Sequence, residues 1–165
     1  MMRATKALLG QRRSSGAPVR FLRHVDYVGN RPRNQCFANA LQVCDDVVAP
    51  QGPTIALVHG WLLLRAPRQT AVIQHAWNVA VATGRHFDVT ELAEGGNSGA
   101  QYVEDLALRM ALNGTFELTP VLAGRSFLYR DDTFYEVAAN SVPGADAVVD
   151  ERPWTDFSTA ALLRR

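Results

Sequence analysis

Cysteine is scarce in this chain, and Cys36 and Cys44 are the only two. A helical reading sets them eight residues apart, about 12 Å of rise, too far for a disulfide. Two reduced thiols and a reducing, cytoplasmic setting are the expectation. Long apolar runs are also missing: Ala7-Leu8-Leu9-Gly10 is too short for the core of a secretory signal, and the longer stretches are only strand-sized. No membrane span or membrane partner is expected. Net charge is nearly absent, since 17 basic and 16 acidic side chains leave +1, so the molecule as a whole has no field to gather nucleic acid. Lysine is limited to Lys6. The arginine bias runs through the whole chain, which argues against reading the N-terminal arginines as a transit peptide. Acid is absent before Asp26, whereas Arg3, Lys6, Arg12, Arg13, Arg20 and Arg23 all lie there. The chain therefore opens on a basic arm.

A length of 165 residues with 47% hydrophobic content suits one domain with a substantial core. Residues 1–20 carry Gly10, Ser14, Ser15, Gly16 and Pro18 with little periodicity, and read as a flexible basic tail. Residues 21–165 read as a single domain. After the turn Gly29–Arg33, apolar residues at Phe37, Ala40, Leu41, Cys44, Val47 and Val48 recur with helical spacing. Thr54–Leu64 and Val72–Ala82 read as strands, and Thr83-Gly84 turns the chain into a third strand, Arg85–Thr90. Tyr102–Leu112 reads as a second amphipathic helix, with Val103, Leu106, Ala107, Met110 and Ala111 on one side. Phe127–Arg130 and Phe134–Val137 flank Asp131-Asp132-Thr133 as a hairpin, and the remaining C-terminal segment reads as irregular.

Three residues invite chemistry. Cys36 falls where an irregular loop enters a helix, so its thiolate faces unpaired N–H groups and the positive end of the helix dipole. The same N–H groups can hold an oxyanion at a carbonyl under attack. His75 lies on the strand face shared by Ile73, Trp77, Val79 and Val81, where its ring needs a polar partner. Asp88 supplies one if Val81–Gly84 is a four-residue loop, because Trp77 then opposes Asp88 and His75 is its diagonal neighbour. A two-residue turn would separate the pair. Cys44 follows the apolar stripe and reads as a core residue. Cys36, Cys44, His59 and His75 total two sulfur and two nitrogen ligands, but they lack the close Cys-x₂₋₄-Cys pairing of a structural zinc site. No metal and no cofactor are expected. Trp61 and Trp77 are candidates to line a cleft, with Trp77 also placed to shield a His–Asp pair. His24 and His86 read as surface residues.

The order Cys36, His75, Asp88, and the stretch His75-Ala76-Trp77, Gly84, Asp88-Val89-Thr90, resemble the papain-like and transglutaminase-like cysteine hydrolase superfamily. Val89 stands where the transglutaminase-like pattern commonly has proline. The resemblance covers roughly Asn30 to Thr90. It implies a small α+β domain in which a catalytic helix, N-terminal in the domain, packs on an antiparallel sheet, with a second helix besides. It also implies roles, with Cys36 as nucleophile, His75 as base and Asp88 as the group orienting it. Asn30 stands six residues before the cysteine, where papain-type proteases carry an oxyanion-donating Gln, and Gln35 is the alternative donor. The Gly-Ser-Cys-Trp signature of those proteases is absent. Arylamine acetyltransferases and N-terminal glutamine amidohydrolases share the Cys-His-Asp order, so it does not separate hydrolysis from transfer.

The expected function is thiol-dependent acyl transfer, as hydrolysis of an amide or peptide bond by a peptidase, amidase or deamidase. Its substrate would be a protein, a peptide or a small amide. The alternative is a non-catalytic binding or inhibitory protein on the same fold, whose basic arm engages nucleic acid or a partner protein with salt-sensitive affinity.

Overall fold

The structure is a computed structural model, and it describes residues 1–46, 48–49, 52–66, 68–92, 99–113, 125–137 and 149–164. In chain order the elements are α1 (Met2–Ser14), β1 (Val19–Leu22), β2 (Asp26–Arg31), α2 (Cys36–Asp46), β3 (Val48–Ala49), β4 (Gly52–Pro53), β5 (Ile55–Ala66), β6 (Gln69–Ala80), β7 (Arg85–Thr90), β8 (Gln101–Asp105), α3 (Leu106–Asn113), β9 (Ser126–Arg130), β10 (Thr133–Val137), β11 (Val149–Trp154) and α4 (Thr159–Leu163). Among the described residues four helices thus accompany a large, mainly antiparallel sheet, an α+β arrangement.

The long hairpin β5–β6 is the spine, in continuous antiparallel register from Ile55↔Ala80 to Ala66↔Gln69. Outward from β5 come β8 and then β1. The other edge of β6 is divided: Thr70–Ile73 pair with β9, while Asn78–Ala80 pair with β7. Beyond β9 lie β10 and β11; beyond β7 lies β2, the one parallel neighbour among the described residues. Gly60 holds the centre of the spine together. A Cβ there would stand 2.0 Å from the Val103 carbonyl oxygen and 2.8 Å from the Trp77 ring, so any side chain would push β8 or Trp77 away.

Three apolar clusters form on the sheet among the described residues, the smallest being Ala71, Leu128 and Val137. One gathers Trp61, Leu63, Val72, Val103 and Phe127 with Ala4 and Leu8 of α1, Leu108 and Leu112 of α3, Phe157 and Leu162. Another gathers Val58, Leu62, Trp77, Leu92 and Tyr102, with Tyr27 of β2 packed against it. Burial on this scale is the main favourable term, about 1.5–3 kcal/mol for each large apolar side chain fully removed from water.

The N-terminal expectation is corrected here. Residues 2–14 form a helix packed on the core, and so residues 1–20 are not a flexible tail. Ala4 and Leu8 are fully buried at helical spacing, and the next position on that stripe is Arg12, whose charge hides the periodicity from a hydropathy reading. The expected helix 102–112 is also corrected. Its first residues form β8, and α3 starts only at Leu106, where Asp105 Oδ1 accepts from the Leu108 N–H at 3.1 Å as a cap. At the C-terminus, described residues form β11 and α4 rather than irregular chain. The loop expected at Gly29–Arg33 instead starts inside β2, where Gly29 at φ 57° bulges the strand and leaves room for the Tyr27 ring. No helix among the described residues is long and apolar enough to cross a membrane.

Candidate active site

His75 stands at the division of the sheet, between the part of β6 that pairs with β9 and the part that pairs with β7. The turn after β6 comprises four residues, 81–84, and the register Asn78↔Phe87, Val79↔His86, Ala80↔Arg85 brings Trp77 opposite Asp88 when continued by one pair. His75 is then the diagonal neighbour of Asp88, and the side chains meet, with His75 Nε2 2.6 Å from Asp88 Oδ2. Both are buried, His75 at 4% exposure and Asp88 at 0%. Directly across the hairpin from His75 is Gly60, so no side chain of β5 stands directly opposite the ring.

Cys36 is the first residue of α2 and is half-buried. The Asn39 N–H bonds to the Gln35 carbonyl at 2.8 Å. Gln35 is therefore the residue before the helix, and the backbone N–H groups of Cys36, Phe37 and Ala38 belong to its first turn. The helix is tied to β6 and β7, the strands that carry His75 and Asp88. Asn78 Nδ2 donates to the Ala40 carbonyl at 2.8 Å, and Asn39 Nδ2 donates to Thr90 Oγ1 at 3.1 Å and to the Pro32 carbonyl at 2.7 Å.

Electrostatics couple the three groups. Burial by itself would lower the His75 pKa, but the charge of the Asp88 carboxylate, the Cys36 sulfur and the hydrogen bonds of both raise it to about 10. Burial pushes the Asp88 pKa up, and the charge and hydrogen bond of His75, aided by the Thr90 N–H and the Tyr102 hydroxyl, more than offset this and leave it lowered. With Nε2 occupied by Asp88, Nδ1 is the ring nitrogen left to hydrogen-bond Cys36.

The other sequence candidates fall elsewhere. Asn30 on β2 and Gln35 before α2 both have exposed side chains. Trp61 and Trp77 do not line an open cleft, because both are fully buried. Trp61 fills the helix-covered core and donates to Asp105 Oδ2 at 3.0 Å. Trp77 stacks on His75 with centroids 6.2 Å apart and donates to His86 Nδ1 at 3.1 Å. His86 is accordingly buried, not a surface residue, while His24 is exposed and bonds Asp26. His59 is 1% exposed, stacks on Phe37 at 5.5 Å, and has its pKa lowered by burial to about 4. Cys44 is half-buried, at 3.4 Å from both the Ala40 carbonyl and Asn78 Nδ2. Among the described residues no group of three His, Cys, Asp or Glu side chains is placed to hold a metal ion.

Sequence reasoning missed Tyr102, Thr90 and Asn39. Tyr102 donates to Asp88 Oδ2 at 2.9 Å and the Thr90 N–H donates to Asp88 Oδ1 at 3.0 Å. Thr90 had a signal, an Asp-x-Thr spacing that lets the carboxylate accept from the backbone two residues on. Tyr102 was hidden by the helical reading of its segment. Comparison of the chain with family models, with curated proteins and with solved structures gave no match in any of the three.

Proposed function

We propose that the protein is a cysteine hydrolase of the papain-like and transglutaminase-like kind, acting on an amide or peptide bond. The observation that carries this reading is the buried 2.6 Å contact of His75 Nε2 with Asp88 Oδ2, on a ring that also interacts with Cys36 at the start of a helix. His75 takes the Cys36 proton, which leaves the ring cationic and the sulfur as the nucleophile. The sulfur attacks the substrate carbonyl carbon, the C–S bond forms, and the first-turn N–H groups of α2 receive the oxyanion. Collapse breaks the C–N bond as His75 delivers its proton to the leaving amine. Water then loses a proton to His75 and attacks the thioester, which releases the acid and restores the thiol. Asp88 keeps the ring oriented and stabilises its charge throughout.

Hydrolysis is favoured over transfer because the described residues form one large sheet with its helices and the short β3–β4 ribbon, and among them there is no second unit for an acceptor substrate. A binding role for a free basic arm loses its support, since α1 is packed on the core. The test is a panel of fluorogenic amides assayed with wild type and Cys36→Ser, with mass spectrometry for an acyl adduct on Cys36. Turnover in wild type that disappears in Cys36→Ser supports the reading. Turnover that survives the substitution overturns it.

A further inference from the structure

Asp88 is held by more than His75. Its Oδ2 meets His75 Nε2 at 2.6 Å and also accepts from the Tyr102 hydroxyl at 2.9 Å, so one oxygen serves two donors. Oδ1 is separately engaged by the Thr90 N–H. Tyr102 is 4% exposed, its ring lies 6.2 Å from that of His75, and it packs edge-on against Trp77 at 5.3 Å. Burial and the neighbouring carboxylate both push its own pKa up. The phenol therefore stays protonated and donates at every working pH.

We propose that Tyr102 is a positioning residue that sets the acid strength of His75: by donating to the shared oxygen of Asp88 it takes up part of the carboxylate's charge. A carboxylate that already accepts a charge-assisted bond from a phenol holds an imidazolium less tightly than one that does not. This matters because a general acid works best when its pKa lies near the working pH. An imidazolium held too firmly by Asp88 would keep its proton when the leaving amine needs it. The groups facing His75 are Cys36 from α2, Asp88 from β7 and Tyr102 from β8, with Trp77 beside it on β6 and Tyr27 from β2 acting on Tyr102. His86, Arg20 and Glu104 form a separate chain beyond Trp77, through its indole N–H to His86 and the Arg20 guanidinium to Glu104.

The inference rests on the hydrolase reading, and the experiment separates the two. Tyr102→Phe keeps the ring and removes only the hydroxyl. In the full chain, NMR titration of the His75 imidazole needs no substrate. It should show His75 titrating at a higher pH than in wild type. On amides with poor leaving groups kcat should fall roughly ten-fold, with KM unchanged and the basic limb of the pH profile moved upward. Activated substrates, whose leaving group needs no proton, should lose less. If Tyr102→Phe does not fold, replacement of Tyr102 by 3-fluorotyrosine strengthens the donor and should move the His75 titration downward. An unchanged His75 titration in either folded variant overturns the proposal. A shifted titration in a protein that turns over no amide leaves the role of Tyr102 on Asp88 standing and sinks the hydrolase reading.

Discussion

Arg12 and Asp105 lie 93 residues apart in sequence and meet as a fully buried pair, Nε to Oδ2 at 2.6 Å and Nη2 to Oδ1 at 2.9 Å. Arg12 also donates to the Phe157 carbonyl and to Thr159 Oγ1, and Asp105 also accepts from Trp61 Nε1 and the Leu108 N–H. One ion pair therefore joins α1, β5, α3 and α4. Removing one partner of such a pair leaves the other charge buried alone, which costs about 3–5 kcal/mol. Arg12→Met should lower the urea midpoint accordingly, and deletion of residues 1–18 should do at least as much. An unchanged midpoint in either variant would mean that α1 is dispensable after all.

The two thiols provide a second test. Cys36 and Cys44 are both half-buried, so access alone does not separate them. Their surroundings do: Cys36 faces the ring of His75, whereas Cys44 sits against the Ala40 carbonyl and the Asn78 amide. A histidine within hydrogen-bond reach can take the thiol proton as the sulfur attacks an alkylating agent. Iodoacetamide at neutral pH should therefore modify Cys36 clearly faster than Cys44. Peptide mapping at several times reads this. Equal rates would argue against Cys36 as the nucleophile.

These residues also show how far the sequence could be read. The span from His75 to Asp88 was legible because β-strand alternation and one turn length determine who faces whom, and only a four-residue turn at 81–84 makes the pair. Asp131 and Asp132, both at positive φ, mark the β9–β10 turn with residues that tolerate that conformation. Arg12 was illegible, because a buried guanidinium looks like solvent-facing charge until Asp105 is known to lie opposite it. Tyr102 was lost for a related reason. The 101–113 segment changes period from two to 3.6 at Asp105, and the apolar Val103 fits both periods.

Two of the buried histidines, His59 and His75, act on the pH dependence of stability with opposite signs. His59 has its pKa lowered by burial to about 4, so between pH 6.5 and about 4 the unfolded chain binds a proton that the folded one refuses. Stability therefore falls as the pH drops through that window, by about 3 kcal/mol in all. His75 is the reverse case. Its pKa is raised to about 10, so its contribution is complete below 6.5 and is lost as the pH rises through 10. Asp88, with its pKa lowered, contributes above 3.8 and loses that contribution as the pH falls through its folded value. Stability should peak near pH 6–7. Urea midpoints from pH 4 to 10 measure this, and His59→Phe should flatten the acidic side. A curve that keeps rising above pH 8 would contradict the His75 assignment.

Asp88→Asn tests the proposed site most directly, because the substitution keeps the shape of the side chain and removes its charge. The amide oxygen can still accept from His75 Nε2, so a neutral ring remains oriented. What is lost is stabilisation of the charged ring, and with it the strongest opposition to burial at His75. The His75 pKa should fall well below about 10, which NMR titration of both forms will register. The rate should fall too. Exchange of the corresponding Asp in a serine triad costs roughly 10⁴-fold, but a thiol depends less on its base than a hydroxyl does, so a loss of about 10²–10³ is expected here. Tyr102 and the Thr90 N–H both donate to the present carboxylate. The Asn amide can satisfy only one of them with its oxygen, so a loss of stability of about 1–3 kcal/mol should accompany the change. If the His75 titration and the rate on amides both match wild type, Asp88 plays no part in the chemistry, and the site reduces to Cys36 and His75.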